Sequence, residues 1–266
     1  IIEEDSRFKW FRDIEDYYNV RLDSLVISYE KSLTSNDRML FFKILRRVLY
    51  EIDDIDEKVE GDNTFHLFIW GYSSIYIALA LGILLGRRKI IVYKPSGPYR
   101  WVPIDLNGKL EEIRSINRTT SSISYNYIED LSNSIKSISN DDVAIILELG
   151  NKPIEAECKK YINNKLSKSI RKPIDIVTIR FQEGKGELNN LEDHIELLKE
   201  VYKTINGIIK NDKRIHLFYS MPVSLAYWLG AALMIYPKMT VYMYDTDNNT
   251  HFPLFKMKDI KDIEQL

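Results

Sequence analysis

Serine, lysine, arginine and tyrosine recur in this chain where strand-like runs give way to helix-like ones, and that combination can hold an anion and an aromatic base. Gly71-Tyr72-Ser73-Ser74 follows the apolar run that starts at Phe65, and Ser220-Met221-Pro222-Val223-Ser224 follows the one that starts at Ile215. Each ends in a serine able to cap a helix or to donate to an oxyanion at the helix N-terminus. Lys94 precedes Pro95-Ser96-Gly97, Arg100 sits between Tyr99 and Trp101, and Gln182 and Lys185 belong to Gln182-Glu183-Gly184-Lys185-Gly186. Lysine would hold phosphate, while aromatic and amide side chains would stack on or bond to bases. The expected ligand-binding set is therefore Tyr72, Ser73, Ser74, Lys94, Arg100, Gln182, Lys185, Ser220, Met221, Pro222 and Ser224. Two plainer readings stay open: the serines are ordinary N-caps, and the lysines are solvated loop charges.

Other chemistries find no support. Gly184-Lys185-Gly186 lacks the spaced glycines and the following Ser or Thr of a phosphate-binding P-loop. His66, His194, His216 and His251 include no pair at metal-ligand spacing. There is no G-x-S-x-G elbow and no glycine fingerprint for a dinucleotide after the first strand. Asp245 and Asp247 on a polar loop read as a turn, not a metal site. Cys158 is the only cysteine, which excludes an internal disulfide and any cysteine-based zinc site. No catalytic residue, metal or cofactor is expected.

The elements that must position the candidate residues come in duplicate. FHLFIWGYSSIYIALALGILLG from Phe65 and IHLFYSMPVSLAYWLGAALMI from Ile215 read alike, and Ile27 and Val177, His66 and His216, and Pro103 and Pro253 are each 150 residues apart. Between these anchors Leu81-Gly82 aligns with Leu229-Gly230, so one copy carries a small insertion in its helix. A single duplication of this length suits two fused lobes and not a solenoid. Apolar, unalternating strands between helical stretches point to a largely parallel sheet covered on both faces. Strands are expected at 25–29, 65–70, 89–93, 143–149 and 174–181, and helices at 38–53, 74–85, 154–165 and 191–209. Residues 1–20 have the spacing of an amphipathic linker helix. Residues 107–142, rich in Ser and Asn, read as an inter-lobe connection with one helix near 127–138. His66 and His216 stand near the starts of their strands, opposite the ligand loops, and read as structural.

The chain has 266 residues, with 37 basic and 39 acidic side chains. That balance gives no global field to attract duplex nucleic acid or an anionic membrane, so an anionic ligand must be small and met locally. Residues 65–86 lack any charge, but the interruption of the second copy by Pro222 makes each run a buried strand, a turn and a buried helix, not a membrane span. The chain opens at Ile1, as expected of a domain cut from a longer protein.

The run from His216 to Ala226 with Leu229-Gly230, Val241-Tyr242 and His251-Phe252-Pro253 resembles the C-terminal pattern of SAVED domains. The duplicated layout extends the resemblance over about residues 20–258. It implies an α/β fold of two Rossmann-like, CARF-like lobes related by pseudo-two-fold symmetry, each a largely parallel sheet flanked by helices. The expected division is 1–20 linker helix, 21–142 first lobe with the connection, and 143–266 second lobe. It further implies a non-enzymatic sensor in bacterial anti-phage defence of the CBASS type. Such a sensor binds a cyclic di-, tri- or tetranucleotide between its lobes and activates a fused effector or membrane segment, in some relatives through ligand-induced homo-oligomers. A cytoplasmic location for this domain goes with that reading. The alternative within the same resemblance is a ring nuclease that cleaves its cyclic ligand.

Overall fold

The computed structural model describes residues 38–58, 64–68, 74–95, 101–115, 125–182, 188, 191–210, 212–233, 236–261 and 263. The expected helix at 1–20 and strand at 25–29 lie outside them. Runs dense in Ile, Val, Leu and Phe form two sheets. The first has the order β1 (Phe65–Phe68), β2 (Ile90–Pro95), β3 (Trp101–Ile104), parallel and then antiparallel. The second comprises β4 (Asp142–Glu148), β5 (Ile174–Arg180), β6 (Arg214–Ser220), β7 (Met239–Asp245) and β8 (Thr250–Lys256) in the order β5-β4-β6-β7-β8. Its pairs are parallel except β7 with β8. Parallel neighbours need crossover connections, here α-helices, so the mixed α/β layout follows.

The helices are α1 (Arg38–Lys58), α2 (Ser74–Leu85), α3 (Leu110–Ser115), α4 (Ser132–Lys136), α5 (Glu155–Tyr161), α6 (Ser167–Ile170), α7 (Leu191–Ile209), α8 (Val223–Leu233) and α9 (Met257–Lys261). A π-wound turn, Ile162–Leu166, joins α5 to α6. On the outer face of the larger sheet Ala144, Ile146, Phe218 and Tyr242 pack against Ile154, Cys158, Ile162 and Leu166. The inner face shares one continuous core with α2, α7 and α8. No helix among the described residues is long and apolar enough to cross a membrane.

The two halves meet through α2 and α8, whose sequences are apolar on all sides and must be buried all round. Gly82 and Gly230 permit backbone contact. A Cβ at Gly82 would lie 1.9 Å from the Tyr227 carbonyl oxygen, and one at Gly230 would lie 2.2 Å from that of Leu79. The Trp228 indole donates to the Ile104 carbonyl at 3.1 Å. Arg114 of α3 donates to the carbonyls of Gly86 (3.3 Å) and Ala231 (2.6 Å), supplying partners at the C-terminal ends of both helices.

The repeated histidines make the same bond twice. His66 Nδ1 and the Tyr93 hydroxyl lie 2.8 Å apart, and His216 Nδ1 and the Tyr242 hydroxyl 3.0 Å. His216 also meets buried Asp142 at 3.2 Å, and Arg214 Nε donates to the same carboxylate at 2.8 Å. These groups close the N-terminal end of the strands, in keeping with a structural role.

Three helices differ in extent from the sequence reading, and the strands shift by one or two residues at their ends. Only Ser132–Lys136 is helical where 127–138 was expected, because the buried Glu200 carboxylate accepts the backbone N–H groups of Asn126, Tyr127 and Ile128 while Ile128 bridges to Phe181. The helix expected at 154–165 continues to Ile170 through the π turn. Helix α1 runs on to Lys58.

Gly82→Ala should cost about 3 kcal/mol in urea unfolding, since the clash is with backbone that cannot step aside. Gly207→Ala in α7, with nothing near the new methyl, should instead stabilise by about 0.5–1 kcal/mol. Acid should destabilise the fold through buried neutral imidazoles. Burial lowers His66 and His216, with Asp105 and Asp142 respectively opposing it, and pushes His251 down to about 4. The unfolded chain then takes up protons first, so stability is full above about pH 6.5 and falls toward pH 4. His251 alone accounts for up to roughly 3 kcal/mol of that loss. Urea midpoints across this range should show the fall, and His251→Phe should flatten part of it.

Candidate functional site

The site grows out of the carboxyl ends of β4 and β6, where open parallel sheets place ligands. Leu149 N donates to the Ser220 carbonyl at 2.8 Å, holding the two strand ends together. Gly150 follows, and a Cβ there would lie 2.6 Å from Ser220 Oγ and 3.2 Å from Met221 N. A larger residue there would have to turn the Ser220 hydroxyl aside and crowd the backbone that leads into α8.

Within that turn Met221 is buried, and Ser220 and Pro222 are half-buried. Ala226 N bonds the Pro222 carbonyl at 3.0 Å, so Pro222 occupies the cap position and Ser224 is the second helical residue. Ser224 is therefore not an N-cap. Its side chain is 1% exposed, and its Oγ has no hydrogen-bond partner among the described residues. A buried hydroxyl without a partner costs about 1–3 kcal/mol, a cost that a ligand acceptor would remove. The first-turn N–H groups of α8 also lack intrahelical acceptors and add partial positive charge.

The start of α2, the equivalent helix of the first half, lies beside the end of β6. Ser74 opens α2, the next carbonyl, of Ile75, accepts the Tyr219 hydroxyl at 3.2 Å, and the rings of Tyr76 and Tyr219 have centroids 5.0 Å apart. The Tyr76 hydroxyl meets the Tyr244 backbone. Burial raises both phenols above the ordinary tyrosine range, so they stay neutral and act as packing and bonding groups. The start of α2 thus reaches the ends of β6 and β7.

Charge at the neighbouring strand ends is internally satisfied. Glu148 Oε1 accepts Ile154 N (2.7 Å) and Glu155 N (3.0 Å), while Arg180 pairs with Glu148 at 3.3 Å and Glu155 at 2.6 Å. The Lys159 bond, working against burial and joined by Thr178 and Arg180, holds Glu155 down to about 2. Gln182 braces the connecting segment, its Nε2 donating to the Tyr125 carbonyl at 3.1 Å. Lys94 lies in β2. Tyr72, Ser73, Arg100 and Lys185 lie outside the described residues. Asp245 closes its own turn, accepting from Asp247 N, Asn248 N and Asn248 Nδ2 at 3.0, 3.1 and 2.9 Å. Among the described residues no group of His, Cys, Asp and Glu could hold a metal.

A family model described as the SMODS-associated and fused to various effectors sensor domain, SAVED, matches residues 74–257. The chain belongs to the SAVED family. No curated protein matches it. Among solved structures, the Acinetobacter baumannii Cap4 SAVED/CARF-domain containing receptor with the cyclic trinucleotide 3'3'3'-cAAA is 16% identical, with 94% of this chain and 55% of that one covered at a TM-score of 0.54. The same receptor with 2'3'3'-cAAA is 15% identical, covering 85% and 44% at 0.49. The Moraxella osloensis Cap4 receptor is 15% identical, covering 83% and 42% at 0.48. This chain therefore spans about half the length of these receptors. The likeness to the first of these is one of fold, and the SAVED assignment agrees with the resemblance in the duplicated sequence.

Sequence reasoning passed over Gly150, Tyr76 and Tyr219. A glycine directly after an apolar strand signalled the first, but the two tyrosines looked like ordinary core residues. A double-mutant cycle between Tyr76→Leu and Tyr219→Leu should give a coupling of about 1 kcal/mol in unfolding free energy. Full additivity would mean the two rings do not hold the loops together.

Proposed function

We propose that this SAVED domain senses a cyclic oligonucleotide held between the turn into α2 and the turn into α8. The contact that supports the reading is Tyr219 with Ile75 and Tyr76, which sets the first turn of α2 beside the carboxyl end of β6, the strand that leads into α8. Two helix N-termini aimed at one region suit a ligand with several phosphates. The A. baumannii receptor structure contains a cyclic trinucleotide, a ring of the class proposed here. Lys94, Arg100 and Lys185 would supply countercharge, Ser73, Ser74, Ser220 and Ser224 hydrogen bonds, and Tyr72, Met221 and Pro222 contacts to bases. The two turns differ in sequence, Gly71 to Ser74 against Met221 to Ser224, so the ring is read asymmetrically.

In this reading the pseudo-symmetric lobes divide near residue 142. Ligand binding acts as a switch for an effector encoded beyond these residues, in anti-phage defence within the cytoplasm, with ligand-driven assembly of several copies. The domain binds its ligand without cleaving it.

Calorimetry against cyclic di-, tri- and tetranucleotides should find at least one ring that binds and is recovered intact. Ser224→Ala should weaken that ring about tenfold or more, the worth of one hydrogen bond to a charged group, while raising unfolding stability by about 1 kcal/mol. Lys94→Ala with Lys185→Ala should weaken it further. Absence of binding across the panel would overturn the proposal, and linear products would reassign the domain as a ring nuclease.

A further inference from the structure

We propose that the outer face of the larger sheet carries a second, separate pocket that takes one aromatic anion of mononucleotide size. The pocket encloses about 260 Å³ between the α5–π turn and the β7–β8 hairpin. Pockets for drug-sized ligands run from about 300 to 1,000 Å³. This one suits a single nucleotide and is too small for a cyclic trinucleotide.

Its base is aromatic and buried. His251, 6% exposed, forms the floor, with its Nε2 3.6 Å from Cys158 Sγ beneath. The rings of Tyr161 and Tyr244 stand beside it, their centroids 5.7 and 5.1 Å from the imidazole. Both tyrosines are half-buried, so each keeps part of its surface open to a flat ligand.

Its rim is cationic and rich in amides. Lys165 Nζ is tied to Thr250 Oγ1 at 3.0 Å, which fixes an ammonium at the mouth, and Lys160 lies one turn earlier on the same helix face. Glu157 is the one acidic lining residue. Lys152 adds positive charge, its Nζ 5.0 Å from the Tyr244 ring centre. Asn249, at φ 48, sits in the left-handed region that turns the hairpin over the pocket, and its side chain bonds the Tyr244 hydroxyl. The five-residue π turn brings Asn164 and Lys165 to the same opening, and such turns are frequent at functional sites. Aromatic walls, lysines and carboxamides together match a base with a phosphate.

The pocket lies across the sheet from the contact between α2 and β6. Its test is therefore independent of the inter-lobe reading. Calorimetry on the 266-residue chain should show AMP binding more tightly than either adenosine or inorganic phosphate. Tyr244→Leu should weaken AMP about tenfold, while Tyr244→Phe, which keeps the ring, should stay within about twofold. Lys160→Ala with Lys165→Ala should abolish the preference for AMP over adenosine. Met221→Trp, which blocks the inter-lobe turn, should leave AMP binding unchanged, and Tyr244→Leu should leave cyclic triadenylate binding unchanged. Three results would overturn the proposal: no AMP binding at ~5 mM, equal loss with Tyr244→Phe and Tyr244→Leu, or loss of AMP binding in Met221→Trp. Thermal melting of each variant separates these outcomes from unfolding.

Discussion

The backbone contact between α2 and α8 is the constraint on which the rest of the molecule depends. Helices bearing side chains at the crossing pack about 8–10 Å apart, and only small residues there allow backbones to touch. Gly82 and Gly230 do this reciprocally, each facing a carbonyl of the other helix. The closeness lets Arg114 bond carbonyls from the ends of both helices at once and lets Trp228 reach across to Ile104. It also delivers the first turn of α2 to the carboxyl end of β6. With a wider separation, Tyr76 and Ile75 would not meet Tyr219.

The two ends of the larger sheet are built for different purposes. At the N-terminal end the buried carboxylate is closed off by partners: burial works to raise Asp142, but Arg214 and His216 hold it below the usual carboxylate range. At the opposite end Glu148, Glu155 and Arg180 pair with one another on the β4–β5 side, while on the β6 side the buried Ser224 hydroxyl has no partner among the described residues. Native proteins seldom leave such a group without a partner, so an acceptor arriving there would be favoured. The difference between a closed end and an open one supports the proposed ligand position more than any single residue type does.

Much of this was legible in the sequence because the chain states it twice. Helix α2 was read as Ser74–Leu85 and α7 as Leu191–Ile209, both as observed, the first through its repeat and the second through a long amphipathic period. The duplicated histidines were read as structural, and both bond a tyrosine in the following strand. Leu-Gly in each copy was read as scaffold, and both glycines lie in the helix contact. Elements shorter than two turns, such as α3, carry too few residues to show a period. Other misses come from distant partners. Nothing local reveals that Glu200 captures the backbone at 126–128, that Pro222 rather than Ser224 caps α8, or that Gly150 is pressed against Ser220.

The central claim is that one ligand touches both repeat-related turns. Hydrogen exchange read by mass spectrometry, with and without the tightest cyclic oligonucleotide, measures this directly, because backbone groups at a helix N-terminus lose exchange when an anion accepts them. The account predicts protection at 69–76 and at 220–226 in parallel, saturating at the same ligand concentration. Protection confined to one turn, or to the outer face around 157–165, would contradict it.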